Sequence, residues 1–153
     1  MRSVGPRLAG AVGIMRKRTR LADFDGSING AYFLTVCTHR RRWLLQGEVL
    51  QIAEHEWRAL PARFPGLTLD CWTFQPDHLH ALVQLSECQS TLSASIQAYK
   101  SITTRLIKSQ GGLDRVWQRS FYDRIVRDER DLQSLREYVQ HNDIVHQTLG
   151  NGR

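Results

Sequence analysis

The chain has 153 residues, of which 41% are hydrophobic and 24% charged, and these proportions are typical of one small globular domain. No apolar run approaches the roughly 20 residues that a bilayer-crossing helix needs, and the three cysteines include no CxxC pair, so the sequence excludes a transmembrane helix, a disulfide framework and a thiolate zinc site. The net charge of +6 favours a polyanionic partner, and free cysteines fit a reducing, cytoplasmic setting beside the nucleoid.

The first 20 residues are strongly basic. They contain six Lys or Arg residues and no acid, while basic side chains in the rest of the chain match its 15 acids in number. We expect residues 1–20 to form a basic arm without fixed structure, and Arg16, Lys17 and Arg18 to contact DNA, because such side chains displace counterions from phosphates. The apolar stretch within this arm is too short for a signal peptide, and Met15 is an alternative start.

The first elements predicted after the arm are a strand and a helix. Residues 31–38 are rich in β-branched and aromatic side chains, which is typical of a buried strand. Arg40, Arg41 and Arg42 follow in a basic exit loop and are candidate DNA contacts. Residues 48–63 carry apolar side chains at helical spacing, which predicts a helix.

Two closely spaced strands are predicted next, at residues 67–74 and 78–85. The turn-like sequence Gln75-Pro76-Asp77 joins them, so an antiparallel pair is the simplest arrangement. The remaining predictions are a helix at 91–109 with an inward stripe from Leu92 to Leu106, an irregular segment or short strand at 116–125, a helix at 128–146 and a flexible tail at 148–153.

The order of these elements predicts the fold class. The series β-α-β-β-α-β-α is typical of an α+β fold in which a ferredoxin-like or RRM-like antiparallel sheet is packed with helices. No internal repeat or second domain is indicated, so residues 21–147 are expected to form one domain.

A His-x-His pair lies in the third predicted strand. Side chains alternate along a strand, so His78 and His80 share one face, with Cα atoms about 6.6 to 7 Å apart. Two imidazoles at that separation can converge on one metal ion, while Leu79, Ala81 and Val83 point into the core. The pattern alone is short, and two unrelated surface histidines remain the alternative.

Tyr138 and Asn142 form a second candidate pair on the last predicted helix. They are four residues apart and therefore share one helical face. This face is offset from the apolar stripe of Leu132, Leu135 and Val139, which leaves the phenol hydroxyl free at the core margin. A tyrosine that only packs at the core margin is the alternative.

Five runs of sequence, in order, resemble the REP-associated tyrosine transposases, which are single-tyrosine relatives of the HUH endonucleases. The resemblance extends roughly from Arg16 to His146. The runs are AYFLTVCTHRRR, WTFQPDHLHALV, LSASIQAYKSITT, VWQRSFYDRIVRDERDL and LREYVQHN.

The resemblance implies a metal-dependent endonuclease and strand transferase that acts on single-stranded, hairpin DNA through a 5′-phosphotyrosine. It implies that His78, His80 and Asn142 hold Mg²⁺ or Mn²⁺ and that Tyr138 is the nucleophile. Tyr122 is a rival nucleophile that the resemblance assigns to the scaffold. Whether the enzyme is a monomer or a homodimer stays open.

Two departures from the family pattern are visible. Asp143 follows Asn142 where the family usually has proline, and Gln75-Pro76-Asp77 stands where Met-Pro-Asn or Met-Pro-Glu is common. Neither change removes a reactive group.

Further DNA contacts are expected from basic and aromatic side chains, with solvated surface charge or core packing as the alternatives. The candidates are Lys100, which matches a family lysine, Arg105, Lys108, Arg119 and, for base stacking, Trp117. A non-catalytic RRM-like nucleic-acid-binding module and a hydrolase of small phosphoesters are the rival functions.

Overall fold

The computed structural model describes residues 28–111 and 113–142 in full, and residues 16–17 and 143–151 as backbone. Within these residues, five strands form one sheet and four α-helices pack against it, with a short 3₁₀ turn at His39–Arg41. The strands are β1 (Arg16–Lys17), β2 (Gly30–Cys37), β3 (Leu67–Gln75), β4 (His78–Leu85) and β5 (Tyr122–Ile125). The helices are α1 (Gly47–Arg58), α2 (Leu60–Arg63), α3 (Leu92–Ser109) and α4 (Glu129–Asn151).

The sheet has the strand order β1-β5-β2-β4-β3, and every pairing is antiparallel. Its four longer strands, β5-β2-β4-β3, have the order that a β-α-β-β-α-β chain gives when each helix crosses the same face. The predicted α+β, ferredoxin-like class is confirmed.

Helices cover both faces of the sheet, and the alternation of side chains along β2 shows how. Tyr32, Leu34 and Val36 belong to the larger core with residues of α1 and α3. Ala31 and Phe33 point the other way and pack with residues of α4. The sheet therefore has an α1/α3 face and an α4 face, which are the names used below.

Two predicted helices differ in detail. The helix expected at 48–63 divides at Ala59 into α1 and α2, because Pro61 fits the first turn of a helix but not its interior. Leu106, expected on the inward stripe of α3, is exposed, and Ile107 is buried in its place. Ile107 lies four residues after buried Thr103, which continues the stripe at helical spacing.

The chain ends show further differences. Arg16–Lys17, expected within an unstructured arm, pair through their backbone with β5, and the rest of the arm lies outside the described residues. Helix α4 continues to Asn151 instead of ending at His146. No helix in the described part of the chain combines the length and apolarity that crossing a bilayer requires.

A buried ion pair joins β5 to the first turn of α4. Arg124 donates from Nη1 to Oδ2 of Asp131 at 2.8 Å and from Nη2 to Oδ1 at 2.9 Å, and the two side chains are only 13% and 5% exposed. The Arg127 amide also donates to Asp131, and the Asp128 carboxylate accepts from the Asp131 amide. The hydrogen bonds from Arg124 lower the pKa of Asp131 to about 2, against burial, which alone would raise it.

We expect Asp131→Ala to lower the free energy of unfolding by about 3 kcal/mol, because it leaves Arg124 buried without its partner. Because the pKa of Asp131 is lower in the folded state, its ionised carboxylate stabilises the fold, and this contribution is complete above the unfolded pKa of about 3.9. This contribution is lost as pH falls toward about 2. Urea unfolding measures both effects. The control is Glu54→Ala, which removes an exposed ion pair with Arg58 and should lower the free energy of unfolding by less than about 1 kcal/mol. Equal losses in the two variants would contradict an anchoring role for Asp131.

Candidate active site

The two histidines of β4 lie side by side on the α4 face. His78 and His80 alternate with Leu79, Ala81 and Val83, which belong to the core on the α1/α3 face. The imidazole centroids are 4.5 Å apart, with an interplanar angle of 66°. The predicted shared orientation of the pair is therefore present in the structure.

Each imidazole is oriented through its Nδ1 atom. Nδ1 of His78 lies 2.7 Å from Oδ1 of Asp77, and because a carboxylate only accepts, Nδ1 is the donor. Nδ1 of His80 lies 3.0 Å from Oγ1 of Thr35, which is its register partner on β2. Such partners fix ring orientation in metal-binding histidines. The bond to Asp77 leaves Nε2 of His78 as a candidate ligand atom, and His80 offers its Nε2 when its Nδ1 donates to Thr35.

The surroundings of His80 favour its neutral imidazole. Burial, followed by the charge of His78, lowers the pKa of His80 to about 4. Burial alone would raise the pKa of Asp77, but the hydrogen bond with His78 and the charges of His78 and Arg41 outweigh burial and lower it. At neutral pH His80 therefore has a free lone pair, and Asp77 is a carboxylate that holds His78.

Tyr138 lies against the histidine pair within the same chain. Its ring centroid is 5.5 Å from that of His80 and 6.1 Å from that of Phe33. Phe33 also stacks on His80, at 5.3 Å and 29°. Tyr138 is nevertheless 48% exposed, so one side of the phenol is packed and the other is open to solvent.

Helix α4 is fixed on the sheet by packing and by one ion pair. Leu135 and Val139 pack into the smaller core on the α4 face. Arg136 donates from Nε and Nη2 to the two carboxylate oxygens of Asp70, at 3.0 and 2.8 Å. Asp70 lies where a register shift interrupts the pairing of β3 with β4, and such a bulge can redirect a side chain. These contacts hold the turn of α4 that carries Tyr138.

Asn142 follows Tyr138 one turn later and reaches the end of β3. Its backbone carbonyl accepts from Nε2 of Gln75 at 3.3 Å. Gln75 is paired in register with His78, so Asn142 lies close to the first histidine. The helix thus brings a phenol near His80 and the backbone of Asn142 to the end of β3.

The basic loop after β2 is tied to the turn before His78. Nε and Nη2 of Arg41 lie 3.1 and 3.0 Å from Oδ2 of Asp77. The backbone amide of Thr38 donates to the Asp77 carbonyl at 3.0 Å. Arg40 and Arg41 have φ angles of 58° and 55°, which are rare for residues other than glycine and characteristic of functional sites.

A comparison with protein-family models matches residues 27–142 to the family described as transposase, IS200 like. The chain belongs to the IS200-like transposase family. A REP-associated tyrosine transposase of Escherichia coli K12 is 25% identical over 76% of this chain and 68% of its own length. An uncharacterized protein of Haemophilus influenzae is 23% identical over 85% of this chain and 89% of its own length.

Two solved structures share the fold of this chain. A structure described as a REP-associated tyrosine transposase bound to a REP hairpin has a TM-score of 0.66 and 25% identity, covering 78% of this chain and 70% of that one. A structure from Deinococcus radiodurans has a TM-score of 0.53 and 21% identity over 74% of this chain and 91% of that one, and it shares the fold alone.

This IS200-like transposase brings four of its predicted site residues together: His78, His80, Tyr138 and Asn142. Of the three arginines in the loop after β2, Arg41 bonds to Asp77 beside the histidine pair, and Arg40 and Arg42 are its neighbours in the chain. The side chains of Arg16, Lys17 and Arg18 are outside the described residues. Arg105 and Arg119 are exposed, but on the side of the sheet where α3 packs.

Two predicted DNA contacts need correction. Trp117 is only 6% exposed, and its indole nitrogen donates to Oγ1 of Thr103 at 2.8 Å, so it packs in the core and cannot stack on a base. Lys100 is 7% exposed, and its ammonium donates to the carbonyls of Gln118 and Ser120 at 2.8 and 3.0 Å. Lys100 therefore holds the segment before β5 and is not free to bind phosphate.

Four residues of the site were not assigned these roles from the sequence: Thr35, Gln75, Asp77 and Arg41. The signal for Asp77 was available, since an acid directly before a histidine often orients its ring. The other three depend on strand register or on a loop conformation that composition does not encode.

The donor set suits a weakly bound hard cation. No group of three or more His, Cys, Asp or Glu side chains that could hold a metal occurs among the described residues. If two imidazole nitrogens and the amide oxygen of Asn142 were the protein ligands, several positions would be left for phosphate and water. Mg²⁺ keeps several such ligands in proteins, and imidazole suits Mn²⁺ better.

Proposed function

We propose that this transposase nicks and rejoins single-stranded DNA through a covalent tyrosine–phosphate bond. The contact of the Tyr138 ring with His80, inside one chain, carries the proposal. A nucleophile and a metal site must meet at one phosphorus atom, and this is where the described part of the chain can bring them together.

In the proposed step, the Tyr138 oxygen attacks phosphorus in line with the 3′-oxygen. The P–O3′ bond breaks, a 5′-phosphotyrosine forms, and the phenol proton passes through solvent to the leaving 3′-oxygen, which becomes a 3′-hydroxyl. Attack by another 3′-hydroxyl reverses the step and joins strands, because the covalent bond conserves the free energy of the phosphodiester.

His78, His80 and Asn142 would hold a divalent metal, Mg²⁺ or Mn²⁺, which neutralises charge on the non-bridging phosphate oxygen. Asp77 and Thr35 keep the two imidazoles oriented, and burial keeps His80 neutral and able to bind a cation. Packing of Tyr138 against Phe33 reduces the freedom of the ring before DNA arrives.

The proposed substrate is a REP-type hairpin with a single-stranded flank. Support comes from the relative of known structure, described as bound to a REP hairpin, and from the exposed basic loop beside the site. The RRM-like alternative needs an open sheet face with exposed aromatic side chains, but α4 covers that face here. A small-phosphoester hydrolase leaves the position of Tyr138 without a purpose.

Incubation of the wild-type chain with a labelled REP-type hairpin and Mn²⁺ tests the proposal. We expect a protein–DNA adduct that survives a denaturing gel and disappears when EDTA is added before the DNA. Adding an excess of an unlabelled strand with a free 3′-hydroxyl after cutting should release the label as a joined product. Cleavage that leaves both ends free, with no adduct at any time point, would rule out the covalent mechanism.

A further inference from the structure

A second basic feature lies away from the active site, between α3 and residues 113–119. It is an open cleft of about 540 Å³. Its basic lining side chains, besides buried Lys100, are Arg105, Lys108, Arg115 and Arg119. Asp114 is the one acid in the lining, and it pairs with Lys108 at 3.5 Å on the exposed rim. The cleft therefore has a strong excess of positive charge.

The wall of the cleft is fixed before any ligand binds. Lys100 ties the backbone of Gln118 and Ser120 to α3, and Trp117 is bonded to Thr103 of the same helix. The exposed arginines thus extend from a rigid base. Rigid placement lowers the entropic cost of binding a charged ligand.

The basic loop after β2 connects this cleft to the active site. The His39 amide donates to the Val116 carbonyl at 2.8 Å, which joins the loop to the cleft wall. At the other end of the loop, Arg41 binds Asp77, the partner of His78. Basic side chains therefore line the path from the cleft, along this loop, to the histidine pair.

The charges along this path act on one another. Burial, followed by the charges of Arg115, Arg40 and Arg42, lowers the pKa of His39. No ion pair with a described acid engages Arg40, Arg42, Arg105, Arg115 or Arg119. Such unneutralised cations attract a polyanion.

We propose that the cleft binds a single-stranded DNA segment that continues from the scissile phosphate around the end of the sheet. The inference rests on the proposed function and adds a second contact region on the α1/α3 face. The cleft has the volume of a small-ligand pocket, which is enough for nucleotides of one strand. The arginines bind phosphates, so the contact is independent of base sequence.

The experiment compares two variants that remove the same charge. Arg105→Gln with Arg119→Gln neutralises the cleft, and Arg58→Gln with Arg130→Gln neutralises two exposed arginines elsewhere. Fluorescence anisotropy measures the affinity for hairpins with a long flank on either side of the nick, and for hairpins with both flanks trimmed. The salt concentration is varied for each DNA.

We expect the cleft variant to bind one long-flank hairpin about tenfold more weakly at physiological salt, with a salt slope smaller by about 0.7 per lost phosphate contact. Trimmed hairpins should bind equally to both variants and to the wild type. Equal losses for both variants, or a cleft variant that binds the long flank like the wild type, would overturn the proposal.

Adduct formation separates this inference from the proposed function. Both variants should still form the tyrosine adduct on trimmed hairpins, because neither changes the histidine pair or Tyr138. If the wild type forms no adduct on any DNA, the proposed function fails, while the difference in binding still decides the role of the cleft.

Discussion

We expect Tyr138→Phe to abolish the covalent protein–DNA adduct and Tyr122→Phe to leave it in place. The first substitution removes one oxygen and keeps the ring that packs against His80 and Phe33. The fold should therefore be unchanged, with a free energy of unfolding within about 0.5 kcal/mol of the wild type, as for most surface substitutions. Denaturing gels measure the adduct, and urea unfolding checks the fold.

Tyr122 is a demanding control because it lies on the α4 face of the sheet, on the same side as His80 and Tyr138. It pairs in register with Thr35, and Thr35 pairs with His80, so the three side chains form one row. Two strand spacings nevertheless separate Tyr122 from His80, about 10 Å between Cα atoms. An adduct that persists in Tyr138→Phe and vanishes in Tyr122→Phe would transfer the nucleophile to β5.

His80→Ala, and independently His78→Ala, should slow adduct formation by about 10²- to 10³-fold, the range seen when one group that stabilises transition-state charge is removed. Each variant leaves a single imidazole, which cannot hold the metal in a fixed position. A second readout is Mn²⁺ binding. Each histidine change is also made in the Tyr138→Phe background, so that the DNA is not cut, and electron paramagnetic resonance measures Mn²⁺ binding in the presence of hairpin DNA. We expect either histidine change to weaken this binding at least tenfold.

His55→Ala provides the matched control for the histidine changes. His55 is exposed on α1, which packs on the other face of the sheet, so its loss should affect neither Mn²⁺ binding nor adduct yield. Retention of full activity and Mn²⁺ affinity in both His78→Ala and His80→Ala would show that the metal does not bind at this pair.

The strand pattern was largely predictable from the sequence because two-residue alternation separates two different cores. Leu79, Ala81 and Val83 had to face one side of β4, which required His78 and His80 to face the other. The division of the second element at Ala59 was less visible, although Pro61 was its cause. Local sequence rules thus predicted the elements better than their ends.

The active site was predictable only where it depends on spacing within one element. The histidines, and the pair of Tyr138 and Asn142, follow from strand and helix periodicity together with the family resemblance. The bond from Arg41 to Asp77 joins segments 36 residues apart through two residues with positive φ, and periodicity contains no information about that contact. Trp117 was misjudged for a related reason, since its burial depends on a tertiary bond to Thr103.

The hairpin between β3 and β4 has only two residues outside the strands, Pro76 and Asp77. A slip of the register by one residue at this turn would direct both imidazoles into the hydrophobic interior, with Leu79 and Ala81 on the α4 face instead. The number of residues in this turn therefore matters to the site as well as the identity of Asp77, which orients His78. Insertions and deletions should instead be tolerated in segments that do not orient a reactive side chain.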